Sequence, residues 1–118
     1  MTSEQIEKRK DEIYFRVYKG EARVGKWNEF TDEEKRELEE LYCRDMIISC
    51  MIYGTYNFYD KNTDTFSGRY AQKYLESLGE ETVRRLWDEQ KETMSKAKIR
   101  YGAYTDSEGG VYASVDWG

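Results

Sequence analysis

The sequence predicts an α+β fold, mainly α: about four helices followed by a C-terminal antiparallel β-hairpin, in a single compact domain over residues 1–118. Three observations carry this. Two capping boxes, Thr2 with Gln5 and Thr31 with Glu34, stand in front of apolar residues at helical spacing. That spacing continues to residue 97. The period then changes to two on either side of Gly109-Gly110, as in a hairpin.

The first helix is expected over 3–19. Ile6, Ile13, Tyr14 and Val17 share a face, and Gly20 sits where a C-terminal cap would stop it. Residues 12–18 also fit a strand, because Ile13, Phe15 and Val17 alternate with Tyr14, Arg16 and Tyr18. Residues 20–30 read as a connector. The strongest element is a helix over 32–53, opened by Asp32, Glu33 and Glu34, where the helix dipole favours acid. Leu38, Leu41, Tyr42, Ile48, Ser49 and Ile52 are placed on one face, and the helix should end at Gly54. Met46 to Tyr53 is apolar nearly all round, so this half should run through the middle of the domain.

Residues 55–66 read as a polar, aromatic loop. A short helix over 67–78, capped by Thr65 or Ser67, would line one side with Tyr70, Ala71, Tyr74 and Leu78. Gly79 ends it, and a helix over 80–98 follows with Val83, Leu86, Trp87, Gln90, Met94 and Ala97 inward. The hairpin is placed at 99–105 and 111–117. A lone hairpin is only marginally stable, so it must pack on the helices.

The core has to be built from aromatic residues. Leu, Ile, Val and Phe make up only 20 of the 118 residues, while Tyr numbers 11, Trp 3 and Met 4. So few aliphatics signal disorder when net charge is large. Here net charge is only −5, proline is absent, and each aromatic ring can bury about 150–250 Å².

Several classes of chemistry are excluded. With no histidine in the chain there is no Ser-His or Cys-His pair, no histidine base and no histidine-containing zinc site. Cys43 and Cys50 lie seven residues apart on a helix, about 10 Å along its axis and beyond disulfide reach. They read as reduced, half-buried thiols, as in a cytosolic protein. The polar N-terminus does not resemble a secretory signal, and the longest uncharged run, Met46 to Tyr59, is too short to span a bilayer. A cytoplasmic protein is expected. Neither phosphate-binding glycine motif occurs. Asp60, Asn62 and Asp64 begin like a calcium loop, but Thr65 replaces the turn glycine and Ala71 the bidentate glutamate. They read as turn formers; no metal and no cofactor are expected.

Three constellations remain. Glu33, Glu37 and Glu40 recur along what reads as the outer face of the long helix. Such a row of carboxylates can imitate phosphates before a basic groove. It can equally be a solvated face, with Asp32–Arg36, Arg36–Glu40, Lys35–Glu39 and Glu40–Arg44 paired at i, i+4. Asp45 falls between Leu38 and Leu41 on the inward face and needs a Tyr or Arg partner; Gln90 is a candidate for the same core. Lys96, Lys98 and Arg100 lead into Tyr101, Tyr104 and Tyr112, a pattern that can stack single-stranded nucleic acid. The acidic total opposes that attraction, so direct nucleic-acid binding is not expected.

The expectation is therefore a non-catalytic binding protein with a protein partner. More narrowly, it is a phage or mobile-element inhibitor of a host nucleic-acid-handling defence enzyme, anti-CRISPR-like, acting in the host-cell cytoplasm on a nuclease with a basic groove. Its contacts would be Glu33, Glu37 and Glu40 with Tyr56 and Tyr59. The alternative is a small-ligand-binding module with an aromatic-lined pocket near Asp45 and Gln90.

Overall fold

A computed structural model of the chain describes residues 1–21, 25–53, 58–103 and 111–117. Four helices and a C-terminal hairpin form the mainly helical α+β architecture that the sequence predicts. Helix α1 runs Ser3–Tyr18, α2 Asp32–Tyr53, α3 Arg69–Leu78 and α4 Glu80–Ser95. No helix among the described residues is long and apolar enough to cross a membrane.

Both capping boxes form. Thr2 Oγ1 accepts the Gln5 N–H at 3.2 Å while Gln5 Oε1 accepts the Thr2 N–H at 2.9 Å. Thr31 and Glu34 repeat the exchange at 3.1 and 2.8 Å. Burial settles residues 12–18 as helix. Ile13 and Val17 are buried, whereas Phe15 is 64% exposed, and a strand would put all three on one side. Lys19 closes α1 in the left-handed conformation, with Gly20 following at φ 85°.

The long helix α2 is the wall between two cores. Leu38, Leu41 and Ile48 pack with Ile6, Ile13, Val17 and Tyr18 of α1 and with Phe30. Cys43, Ile47 and Cys50 pack on the opposite side with Phe58, Tyr74 and Leu78, and with Val83, Leu86 and Trp87 of α4. The single inward face read from the sequence is thus two faces. Tyr42 and Ser49, expected inside, point between them, and Tyr42 is 39% exposed. Tyr70, also expected in the core, is 42% exposed.

Three boundaries move, each for a hydrogen-bonding reason. Residues 58–66 are partly ordered as a small hairpin, β1 Tyr59–Asp60 against β2 Thr65–Phe66. The Ser67 N–H continues this pairing by donating to the Phe58 carbonyl at 2.9 Å. The third helix therefore starts at Arg69 rather than 67, with Gly68 at its cap and no side-chain cap from Thr65 or Ser67. At the far end, Lys98 pairs with Asp116, so α4 stops at Ser95 and β3 spans Lys98–Ala103 opposite β4, Val111–Asp116. Between α3 and α4 a single residue turns the chain. Gly79 does so at φ 87°, a conformation glycine adopts without strain.

The β3–β4 hairpin is latched to the end of α2 by two tyrosines. Tyr101 Oη donates to the Ile52 carbonyl at 2.6 Å, and the Ala113 N–H donates to Tyr53 Oη at 3.0 Å. Trp117 packs against the α1-side core.

Because Ile47 and Phe58 are both fully buried in the second core, truncating either leaves a cavity. Ile47→Ala should cost about 2–5 kcal/mol and Phe58→Ala about 3–5 kcal/mol, read from urea unfolding midpoints. Ser49→Ala, on the exposed strip, should leave the midpoint nearly unchanged.

Candidate functional site

The acidic stripe is not the free outer face expected of it. Glu37 forms a bidentate ion pair with Arg9 of α1, and Glu40 meets Arg85 of α4 at 2.6 Å. Glu34 is gripped by Arg16 of α1. Of the three stripe carboxylates, Glu33 alone is exposed and without a side-chain partner among the described residues. The ion pairs of α2 run to other helices, and none of the expected i, i+4 pairs within it forms.

Asp45 does need a partner, and it is neither Tyr nor Arg. Lys10 of α1 donates to Asp45 at 2.6 Å and to Glu7 at 2.6 Å. Burial works to lower the Lys10 pKa, but these hydrogen bonds outweigh it and the net shift is upward. Gln90 is fully buried and occupied elsewhere: its Oε1 accepts from the Met1 ammonium at 2.8 Å and its Nε2 donates to the Met1 carbonyl at 2.8 Å. The structure gives Asp45 and Gln90 separate partners and does not bring them together. Glu89, beside Gln90, holds Arg44 at 3.2 Å.

Tyr59 is built into the small hairpin. Its ring lies 4.7 Å from Trp87, and its hydroxyl donates to Asp64 at 2.7 Å. Arg84 spans the same turn, 4.5 Å from the Phe66 ring and 3.1 Å from Asp64. The Asp60 carboxylate accepts the Asn62 N–H at 2.9 Å, the local bond of a turn-forming Asp. Tyr56 lies outside the described residues. Among the described residues no group of three or more potential metal ligands is assembled.

What the sequence did not single out is an aromatic cleft of about 370 Å³. It is lined by Trp27 from a 3-10 turn at Trp27–Glu29, Glu39 and Tyr42 from α2, and Lys73 and Tyr74 from α3. Tyr42 is positioned by Tyr14, their hydroxyls 2.5 Å apart. The three rings each carry an ammonium over a face: Lys35 at 5.8 Å from Trp27, Lys10 at 4.7 Å from Tyr42 and Lys73 at 5.4 Å from Tyr74. Burial, aided by the negative charges around it, including Glu39, pushes the Tyr74 hydroxyl up to about 12. It is a neutral hydrogen-bonding group throughout the physiological range. One signal was legible: Lys35, Glu39 and Tyr42 recur at i, i+4 and i+7. Trp27 and Tyr74 reach them only through the tertiary fold.

A second cavity of about 390 Å³ lies at the end of α1. Two of its cations are already engaged, Arg16 by Glu34 and the Glu29 carbonyl, Lys26 by Glu21 at 3.8 Å. The aromatic cleft is the better candidate. No family model, curated protein or solved structure matches the chain. Its function has to be argued from this geometry.

Among the described residues, the carboxylates with shifted pKa values are held down. Arg16, with help from the Thr31 backbone, lowers Glu34 from the ordinary 4.5 to about 2. Arg9 lowers Glu37, Tyr59 and Arg84 lower Asp64, and Arg44 lowers Glu89 against its burial. A carboxylate depressed on folding stabilises the protein fully above its unfolded pKa and loses that contribution as pH falls through its folded value. Stability should therefore decline between pH 4.5 and about 2 for Glu34. Glu34→Gln should flatten that decline, as measured by urea midpoints across the range.

Proposed function

We propose that this chain is a non-catalytic binding protein with a protein partner. The observation that supports this reading is the set of large aromatic side chains left at the surface of an acidic chain. Trp27, Tyr42, Tyr53, Tyr70 and Tyr101 are all more than a third exposed, and Trp and Tyr are enriched among the residues that dominate binding energy at protein interfaces. The tied-down carboxylates support the non-catalytic half. A general acid working near neutral pH needs a raised carboxyl pKa, and the shifted ones are lowered. The narrower proposal is a phage or mobile-element inhibitor of a host nucleic-acid-handling enzyme, anti-CRISPR-like. Its support is the net charge of −5, with Glu33 as the stripe carboxylate free to face a basic groove.

A second reading, a small-ligand-binding module, is favoured by the cleft itself. It is concave, aromatic and within the usual size range of ligand sites, about 300–1,000 Å³. It also adjoins Asp45, since Lys10 joins that carboxylate to the Tyr42 ring.

Affinity capture with purified wild-type and variant chains tests the protein-partner reading. Trp27→Ala and Tyr53→Ala should each weaken a captured partner by about 2 kcal/mol or more if they are central contacts. Glu33→Lys should weaken capture chiefly at low salt. Capture that is indifferent to all three substitutions, with circular dichroism unchanged, would remove the proposed surface.

A further inference from the structure

The charge pattern of the aromatic cleft specifies a ligand more closely than its shape does. Trp27, Tyr42 and Tyr74 line it, and no two of these rings pack on one another. Lys35 and Lys73 stand over two of the rings and form no ion pair among the described residues. The third ammonium, Lys10, is neutralised by Asp45 and Glu7. Glu39 lines the cleft without an ion-pair partner among the described residues. In a chain of net charge −5, this hollow is lined by one free cation, Lys73, one free carboxylate, Glu39, and three rings, with a second free cation, Lys35, over the Trp27 ring beside it.

A cationic ligand is disfavoured, because each ring already faces an ammonium that would repel it. A purely apolar ligand would strip water from Glu39 and Lys73 without compensation. The complement is a planar ring to stack, N–H donors for a carboxylate, and an anion for two lysines. We infer that the cleft binds a mononucleotide, its base against Trp27, its N–H edge toward Glu39 and its phosphate toward Lys35 and Lys73. Aromatic side chains stack any base, while the carboxylate accepts only from bases that offer N–H groups. A polymeric strand shares this chemistry, but the net charge of −5 on the chain repels a run of phosphates and a single phosphate far less. This inference rests on the small-ligand reading of the cleft.

Titration of the purified full chain tests it, with AMP, GMP, CMP and UMP, adenosine, inorganic phosphate and a short single-stranded oligonucleotide as probes. Of the three tryptophans, Trp27 is 46% exposed, Trp117 half-buried and Trp87 only 5% exposed, so the quenching that belongs to the cleft is the part lost in Trp27→Ala. Saturable quenching and a rise in Tm are expected with at least one mononucleotide, and weaker responses with adenosine or phosphate alone. The surface variant Lys35→Glu/Lys73→Glu should weaken the nucleotide about tenfold or more without altering the circular dichroism spectrum. Trp27→Ala, followed by calorimetry, should weaken it comparably. Glu39→Gln should change the ranking among the four bases. An oligonucleotide that binds more tightly than every mononucleotide through the same residues would overturn the free-nucleotide assignment. So would the absence of any response, or a response that the lysine and Trp27 variants retain. A small molecule of other chemistry that raises Tm through these rings would leave the small-ligand reading standing and overturn only the nucleotide.

Discussion

Everything in this fold depends on burying α2 from two opposite sides. A helix normally turns one apolar stripe to a core, but this one has Leu38, Leu41 and Ile48 on one flank and Cys43, Ile47 and Cys50 on the other. It must be held between α1 and α4, and its polar residues determine how. Arg9–Glu37 and Arg16–Glu34 run α1 antiparallel to α2. Arg36–Thr82, Glu40–Arg85 and Arg44–Glu89 advance together along both chains and run α4 parallel to it. Exposed ion pairs add little stability, about 0–1 kcal/mol each. Their value here is register: sliding either neighbour by one turn would part the half-buried Arg44 from Glu89 or the well-buried Lys10 from Asp45, leaving Lys10 only Glu7 of its own helix.

The scarcity of aliphatic residues is met by an aromatic cluster built into each core. Tyr14, Tyr18 and Trp27 all have rings within about 6 Å of Phe30 beside α1, the closest an edge-on pair with Tyr14 at 5.7 Å and a tilted one with Trp27 at 5.5 Å. Phe58, Tyr59 and Phe66 surround Trp87 beside α4, with Phe58 and Trp87 stacked at 5.9 Å. Each ring covers an area that would take several methyl groups, and pairs in these orientations add about 0.5–1.5 kcal/mol beyond burial. The small hairpin of β1 and β2 exists to carry two of these rings, Tyr59 and Phe66, to Trp87 on α4.

What could be read in the sequence follows from the range of the interactions involved. Caps, helix identities and the C-terminal hairpin are local, and the residues at 2–5, 31–34 and 98–116 declare them. The choice between helix and strand at 12–18 was open locally and closed by which of Ile13, Phe15 and Val17 the fold buries. Tyr42 was assigned inward because its helical angle lies near that of Leu38, and only the position of α1 shows that it lies just past the edge. Glu37 and Glu40 looked solvated because their helical angle reads as the outer face and Arg36 and Arg44 are visible as local i, i+4 partners of Glu40, while Arg9 and Arg85 are not neighbours until the chain folds. Trp27 and Tyr74 belong to the cleft for the same non-local reason.

The side of α2 that carries Glu37, Glu40 and Arg44 and the side that carries Lys35, Glu39 and Tyr42 lie between the same two buried faces, yet they end differently. On the first, α1 and α4 both supply arginine or glutamate partners, and the gap between helices is closed by charge. On the second, the neighbours are a three-residue turn and the short α3, and what they supply is Trp27, Tyr74 and the unpaired Lys73. Rings cannot neutralise Glu39 and Lys73, which line the hollow, or Lys35 beside it, and these three form no ion pair among the described residues. A helix forced to be buried twice thus leaves one seam that is locked by its ion pairs and one that holds an aromatic cleft of about 370 Å³.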